Sequence, residues 1–319
     1  MNHYPSNVKE KLNSIILSMA EHHWLFSKNP GHDFTRQHLG KLSFYDTMRL
    51  IISMGKGSTN DEIMDYFDLD PDLIPSQSAF CQRRRQISLS AFEYLFSEFS
   101  SSFPSTTDKF KDHCILACDG CHVVYATNSD IIEDYNKPRL IDYKGYNHMH
   151  LNGFVDVISK AFLDVVIQPG QQPDEREALH SMLDHFTPDD PQKYIITADR
   201  GYESYDLLFH CELKNLGYVF RVKSPSSPKS ILSYYASEFP DDLEEFDVTI
   251  KRFFTDKATN IMKSQSDVYR YINPSKNTPH FYELLRKNHS HLYFLQFRVV
   301  KIKTAGISKT GNLFPPDSV

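Results

Sequence analysis

Apolar residues in the first hundred positions recur at helical spacing. In "SFYDTMRLIISMG", Phe44, Met48, Ile51 and Ile52 fall near one face, and Gly55 and Gly57 follow as a stop. "STNDEIMDYFDLD" predicts a second helix, with Thr59 or Asn60 as N-cap and Glu62 in the first turn. "DPDLIPSQS" is a turn cluster. "AFCQRRRQISLSAFEYLFSEFSSSF" predicts a longer amphipathic helix with a break near Ser88–Ser90, and "PSTTDKFKDH" reads as a linker.

At about His113 the period shortens. "CILAC" and "HVVYAT" are short β-rich runs, and "NGFVDVIS" and "AFLDVVIQ" lie close enough to form a hairpin. A helix ("PDEREALHSMLDHF"), a strand ("KYIITA"), a helix closed by Gly217 ("ESYDLLFHCELKNLG") and a strand ("YVFRVK") follow. That order predicts an α/β layer with a mixed sheet. From Ser224 the helical pattern is lost, and "EEFDVTIKRFF", "SDVYRYI" and "YFLQFRVVKIK" predict a small β-rich section. The pattern thus divides the chain into a helical region (1–108), an α/β core (109–223) and a β-rich segment (224–319).

Composition narrows the class. The chain has 319 residues, enough for about two domains, and is 40% hydrophobic and 24% charged, as folded proteins usually are. No run approaches the ~18 apolar residues of a membrane span. The N-terminus has no apolar signal core or small-residue cleavage site, so the expected location is cytoplasmic. Five cysteines, an odd number in a chain of this size, favour reduced thiols. A net charge of −6 argues weakly against a nucleic-acid partner, because phosphate binding depends on local patches.

The chemistry gathers at two strand ends. "CILACDG" ends on Asp119-Gly120 and "YIITADRG" on Asp199-Arg200-Gly201. Carboxylates on neighbouring strand ends suit a hard divalent cation, and Mg²⁺ commonly takes one or two of them and fills its shell with water and phosphate oxygens. Two such ions would hold the attacking and leaving oxygens of a phosphodiester. The plainer reading makes both aspartates turn residues, and on residues alone the two readings stand level. "RRR" at Arg83, Arg84 and Arg85 suits DNA phosphates or a solvated helix face, as do Arg221 and Lys223 after "YVFRVK". "HCILACDGCH" invites zinc, but Cys114 and Cys118 share strand parity with Leu116 and are expected on an apolar side. His148 and His150 pair on one strand face, which fifteen histidines make unremarkable.

Beyond this point the chain resembles the DDE transposases of bacterial insertion sequences, specifically the IS-four family. The resemblance is carried by "PGHDFTRQHLGKLSFYDTMRLIISMG", "SAFCQRRRQISLSAFEYLFSEF", "LACDGCHVVYATN", "KGYNHMHLNGFVDV", "FLDVVIQPG", "ADRGYESYDLLFH", "YVFRVK" and "FRVVKIK", and covers most of residues 30–305. It implies a ribonuclease-H-like core in 109–223, preceded by an N-terminal helical DNA-binding region and interrupted by a β-rich insertion. It implies catalytic aspartates at Asp119 and Asp199, both ligands of Mg²⁺ or Mn²⁺. The implied partner is double-stranded DNA, at transposon terminal repeats and target, with no membrane and with a homodimer on DNA. The implied reaction is hydrolysis at the transposon end, then attack of the freed 3′-hydroxyl on target DNA. The family's third carboxylate, a Glu in a helix patterned Y-x2-R-x3-E-x6-K, has no match. In "YELLRKNHSHLY", Tyr282 and Arg286 are one residue too far apart, and no Glu follows Arg286. The expectation is therefore a C-terminally truncated transposase, impaired by loss of that carboxylate, or a remnant that binds terminal repeats without cleaving.

Overall fold

The computed structural model describes residues 4–35, 42–102, 109–137, 144–240, 244–273 and 278–303. The first half of the linker sequence (104–108) and the tail "GNLFPPDSV" lie outside them. The chain forms two compact units, residues 1–107 with 159–164, and 108–158 with 165–319.

The first unit is helical: α1 (Tyr4–Glu21), α2 (Phe44–Ser53), α3 (Thr59–Tyr66), α4 (Gln77–Gln86) and α5 (Leu89–Ser101). A capping box starts α2. The Ser43 hydroxyl accepts from the Asp46 backbone at 3.0 Å, and the Asp46 carboxylate accepts from the Ser43 backbone at 3.2 Å. Its buried face is Phe44, Thr47, Met48 and Leu50, whereas Ile52, expected on that face, is 41% exposed. The cap of α3 is Ser58, one residue before the expected Thr59 or Asn60. Glu62 turns back to accept from the backbones of Gly55 and Gly57 at 2.9 and 2.7 Å. The expected break in the long helix falls at Ile87, which is extended, buried and bridged to Ser27.

The second unit contains two sheets. The first is built from β1 (Cys114–Tyr125), β2 (Tyr135–Asn136), β3 (Tyr146–Asp156), β4 (Phe162–Pro169), β5 (Tyr194–Ala198) and β6 (Gly217–Phe220). β3 runs antiparallel to β1 and also carries β2 and β4, while β5 and β6 continue the sheet parallel to β1. The parallel strands are reached through α6 (Glu175–His185) and α7 (Tyr205–Leu213), whose apolar residues are buried. This mixed α/β layer is consistent with a ribonuclease-H-like core. "CILAC" and "HVVYAT" are one strand, not two. β1 runs through Asp119 and Gly120, because β3 continues to pair with it as far as Tyr125. Asn215, at φ 55°, turns the chain after α7, and Gly217 instead opens β6.

The second sheet is β8 (Tyr269–Tyr271), β7 (Phe246–Thr255) and β9 (Leu292–Lys301), with β7 central. The expectation of a helix-free segment after Ser224 is corrected by α8 (Asn260–Ser264), α9 (Pro279–Lys287) and a 3₁₀ helix over Ile231–Glu238. In α9, Pro279 sits in the first turn, and Phe281, Leu284 and Leu285 form one buried face at spacing i, i+3, i+4. That single turn and a half of apolar spacing is too short to stand out among strands. Phe209 of α7 packs with Phe254, Phe281 and Leu295, so α7 and the second sheet share one core.

Candidate active site

Sheet register brings the two predicted aspartates together. Cys118 pairs with Ala198 across parallel strands β1 and β5, so the next residues, Asp119 and Asp199, stand side by side where β5 ends. Both are exposed. Each carboxylate accepts from the backbone of a nearby glycine, Gly120 at 2.9 Å and Gly201 at 2.6 Å. Neither aspartate contributes to a core, so their cost in stability is small and their oxygens face water.

A third carboxylate reaches the same place. Glu175 is the first residue of α6, and Asp174 caps that helix by accepting from the backbones of Arg176 and Glu177, both at 3.1 Å. Gln168 at the end of β4 exchanges two hydrogen bonds with the Asp174 backbone, at 2.9 and 3.0 Å, and fixes the helix start against the sheet. A Cβ added at Gly120 would meet Glu175 Oε1 at 2.9 Å. One added at Gly201 would meet Glu175 Oε2 at 2.8 Å and Asp199 Oδ1 at 2.9 Å. The Glu175 carboxylate thus fills the gap between the two glycines. A side chain at either position would push these oxygens aside, and they end flexible side chains that can move. Buried His150 stands 3.4 Å from Glu175 Oε1. Sequence reasoning missed Glu175. An acidic residue after an N-cap Asp is what most helix starts display, and only the β4–α6 clamp gives it meaning.

The layer below is apolar. Cys114, Leu116 and Cys118 are buried on one face of β1, as their parity predicts. Burial pushes the Cys118 thiol up to about 12, and burial likewise raises the Tyr202 phenol beside it. Among the described residues, these cysteines do not converge with His113 or His122 into a ligand set. Cys121 and His122 are exposed, apart from the buried cysteines. His148 and His150 lie buried on one face of β3, with the His122 ring 4.7 and 4.8 Å from theirs.

The basic residues lie as follows. Arg83, Arg84 and Arg85 form the last turn of α4. Arg83 bonds Gln86 at 3.1 Å and sits over the Phe34 ring, Arg84 lies over Phe80, and Arg84 and Arg85 are exposed. Arg221 is exposed just past β6. Lys223 donates to the buried Glu203 carboxylate and to the Arg200 carbonyl, at 3.1 and 3.2 Å.

The transposase DDE domain family matches residues 110–291, which include both aspartates, Glu175, the whole first sheet and strands β7 and β8 of the second. The chain belongs to that family. No curated protein matches it at a significant level. Membership makes DNA the substrate and makes a divalent metal ion the general requirement. The residues present fit such an ion: exposed Asp119 and Asp199 and partly exposed Glu175 are hard oxygen donors open to water, as Mg²⁺ prefers. Among the described residues, no helix is long and apolar enough to cross a membrane.

Proposed function

We propose that the chain is an insertion-sequence transposase of the IS-four kind that hydrolyses the phosphodiester at the element's ends and joins the freed 3′-hydroxyl to target DNA. The side-by-side placement of Asp119 and Asp199 at the end of β5 carries this reading. Asp119 and Asp199 would hold Mg²⁺ or Mn²⁺, and Glu175, beside Asp199, would serve as a further carboxylate. A bound divalent pair supplies charge stabilisation at the attacking and leaving oxygens of the displacement. The protein's own part is to hold the carboxylates on rigid elements and leave their outer side open to a DNA strand. The Asp174–Gln168 clamp keeps α6 from sliding, and buried His150 lies 3.4 Å from Glu175 Oε1 without a hydrogen bond to it.

The test is nicking of a supercoiled plasmid carrying the DNA that flanks the gene, with Mg²⁺ or Mn²⁺. Metal-dependent nicking is expected. Asp119→Asn, Asp199→Asn and Glu175→Gln should each lower it on the order of 10²–10³-fold. Full activity in either aspartate variant sinks the site. Full activity in Glu175→Gln removes only that residue's role. A second reading is specific binding of terminal repeats without cleavage. Salt-sensitive binding with no nicking in either metal would favour it.

A further inference from the structure

A second cluster of ligand-type side chains lies along the same cleft as Glu175 and Gly201, past α6. His180 of α6, His210 of α7 and His280 of α9 bring one ring nitrogen each within 4.8 Å of one another. Among the described residues they are the one group of three candidate ligands that already converges this closely. Their rings lie within 18° of parallel, with centroids 3.9 to 5.2 Å apart.

The surrounding carboxylates indicate which nitrogens of His280 and His210 are free, whereas the His180 tautomer is set only by its contact with His210. Asp206 Oδ2 is 2.7 Å from His280 Nδ1, and Asp206 Oδ1 accepts from the His280 and Phe281 backbones at 3.1 and 3.2 Å. A proton on Nδ1 bonded to that carboxylate leaves the His280 Nε2 lone pair available. Asp184 Oδ1 stands 3.2 Å from His210 Nε2, which leaves His210 Nδ1 as the acceptor. Asp206 Oδ2 also lies 3.6 Å from His180 Nε2. His180 Nδ1 and His210 Nδ1 then face each other across 2.9 Å. Two lone pairs at that distance repel unless a proton or a cation sits between them. Carboxylates behind imidazoles are the outer-shell arrangement of metal-bound histidines.

We propose that His180, His210 and His280 form a zinc-class metal site that staples α9, and with it the second sheet, to α6 and α7. Imidazole donors favour Zn²⁺ or Co²⁺ over Mg²⁺, so this site differs in kind from the carboxylates at Asp119 and Asp199. Tetrahedral bonds of 2.0–2.1 Å place ligand nitrogens about 3.3 Å apart, and imidazole lone pairs lie in the ring plane, so the three rings must turn out of their near-parallel stack to converge on one ion. Asp206 or water supplies the fourth position. His180 and His280 are partly exposed, which gives the ion a route in.

The experiment uses the full chain, stripped by chelator and titrated with Zn²⁺ and Co²⁺, with no DNA and no cleavage assay. Expected are one Zn²⁺ per chain at micromolar concentration or tighter, the visible bands of tetrahedral Co²⁺, and a rise in melting temperature. His180→Gln and His280→Gln, at partly exposed positions, should fold, lose the Co²⁺ bands and bind Zn²⁺ at least 100-fold more weakly. Asp119→Asn with Asp199→Asn should bind as the parent does. A folded parent that takes up neither ion overturns the proposal and leaves a proton shared between His180 and His210. So does unchanged binding in the histidine variants, or binding lost with the aspartate pair. None of these outcomes bears on whether the carboxylate site cuts DNA.

Discussion

At the scale of single residues, the candidate active site is defined by two missing side chains. Gly120 and Gly201 leave room for the carboxylate of Glu175, which lies beside Asp199 at the end of β5. A methyl at Gly201 would come within 2.9 Å of oxygens on both Glu175 and Asp199. Those oxygens end flexible side chains, so the fold can give way at little cost, but the displacement falls on the groups that would hold the metal. Gly201→Ala is therefore expected to leave the melting temperature within a few degrees of the parent and to cut metal-dependent nicking at least tenfold. A misplacement of about 1 Å can cost on the order of 10²-fold. Thermal melts and the plasmid assay on the same preparation decide it. A large loss of stability with unimpaired nicking per folded molecule would reverse the argument. The neighbouring placement of Asp119 and Asp199 was legible because each follows an apolar strand run and has a glycine close after it. Glu175 was not, since its meaning depends on a helix start set by Gln168, seven residues earlier on another element.

At the scale of elements, the turn after β5 is held by one buried carboxylate. Glu203 accepts from the Lys223 backbone and ammonium, both at 3.1 Å, from Ser230 at 2.7 Å and from the Ile231 backbone at 2.6 Å. It ties the Asp199–Glu203 turn to the start of the 3₁₀ helix. Burial alone would raise its pKa, but the bonds from Ser230, Lys223 and Ile231 outweigh it and hold the group below the ordinary 4.5. A depressed folded-state pKa means stability that is present above 4.5 and is lost as pH falls through the lower folded value. Glu203→Gln keeps the shape, removes the charge and leaves donors unmatched. It should cost about 1–3 kcal/mol at pH 7. Urea melts at pH 7 and below 4.5 should find the two proteins converging in acid, and a constant gap would reject the carboxylate's role. The strands and long helices of this layer were legible from periodicity. What was not legible depends on partners far away in sequence. β1 continues past Asp119 because β3 pairs with it, and α9 forms because its short apolar face meets α7 and the second sheet.

At the scale of the whole molecule, a chain of net charge −6 must bind a polyanion through a few local contacts. The three arginines of α4 are the densest cationic run in the sequence, yet their surroundings divide them. Arg83 is half-buried, bonded to Gln86 and stacked on Phe34, so part of its value is packing. Arg84 and Arg85 are exposed at the helix end. Lys223, bonded to Glu203 and to the Arg200 carbonyl, has its charge already engaged, whereas Arg221 stands exposed. Duplex binding measured between 50 and 200 mM salt should therefore weaken on Arg84→Ala, Arg85→Ala and Arg221→Ala, with the log–log salt slope shallower by about one for each lost phosphate contact. Arg83→Ala should lower the melting temperature as well as the affinity. Lys223→Ala should disturb stability through Glu203 and leave the salt slope nearly unchanged. If instead Lys223→Ala flattens the slope while Arg84→Ala and Arg85→Ala do not, DNA reaches the protein along the catalytic sheet rather than along α4, and the helical unit has some other task.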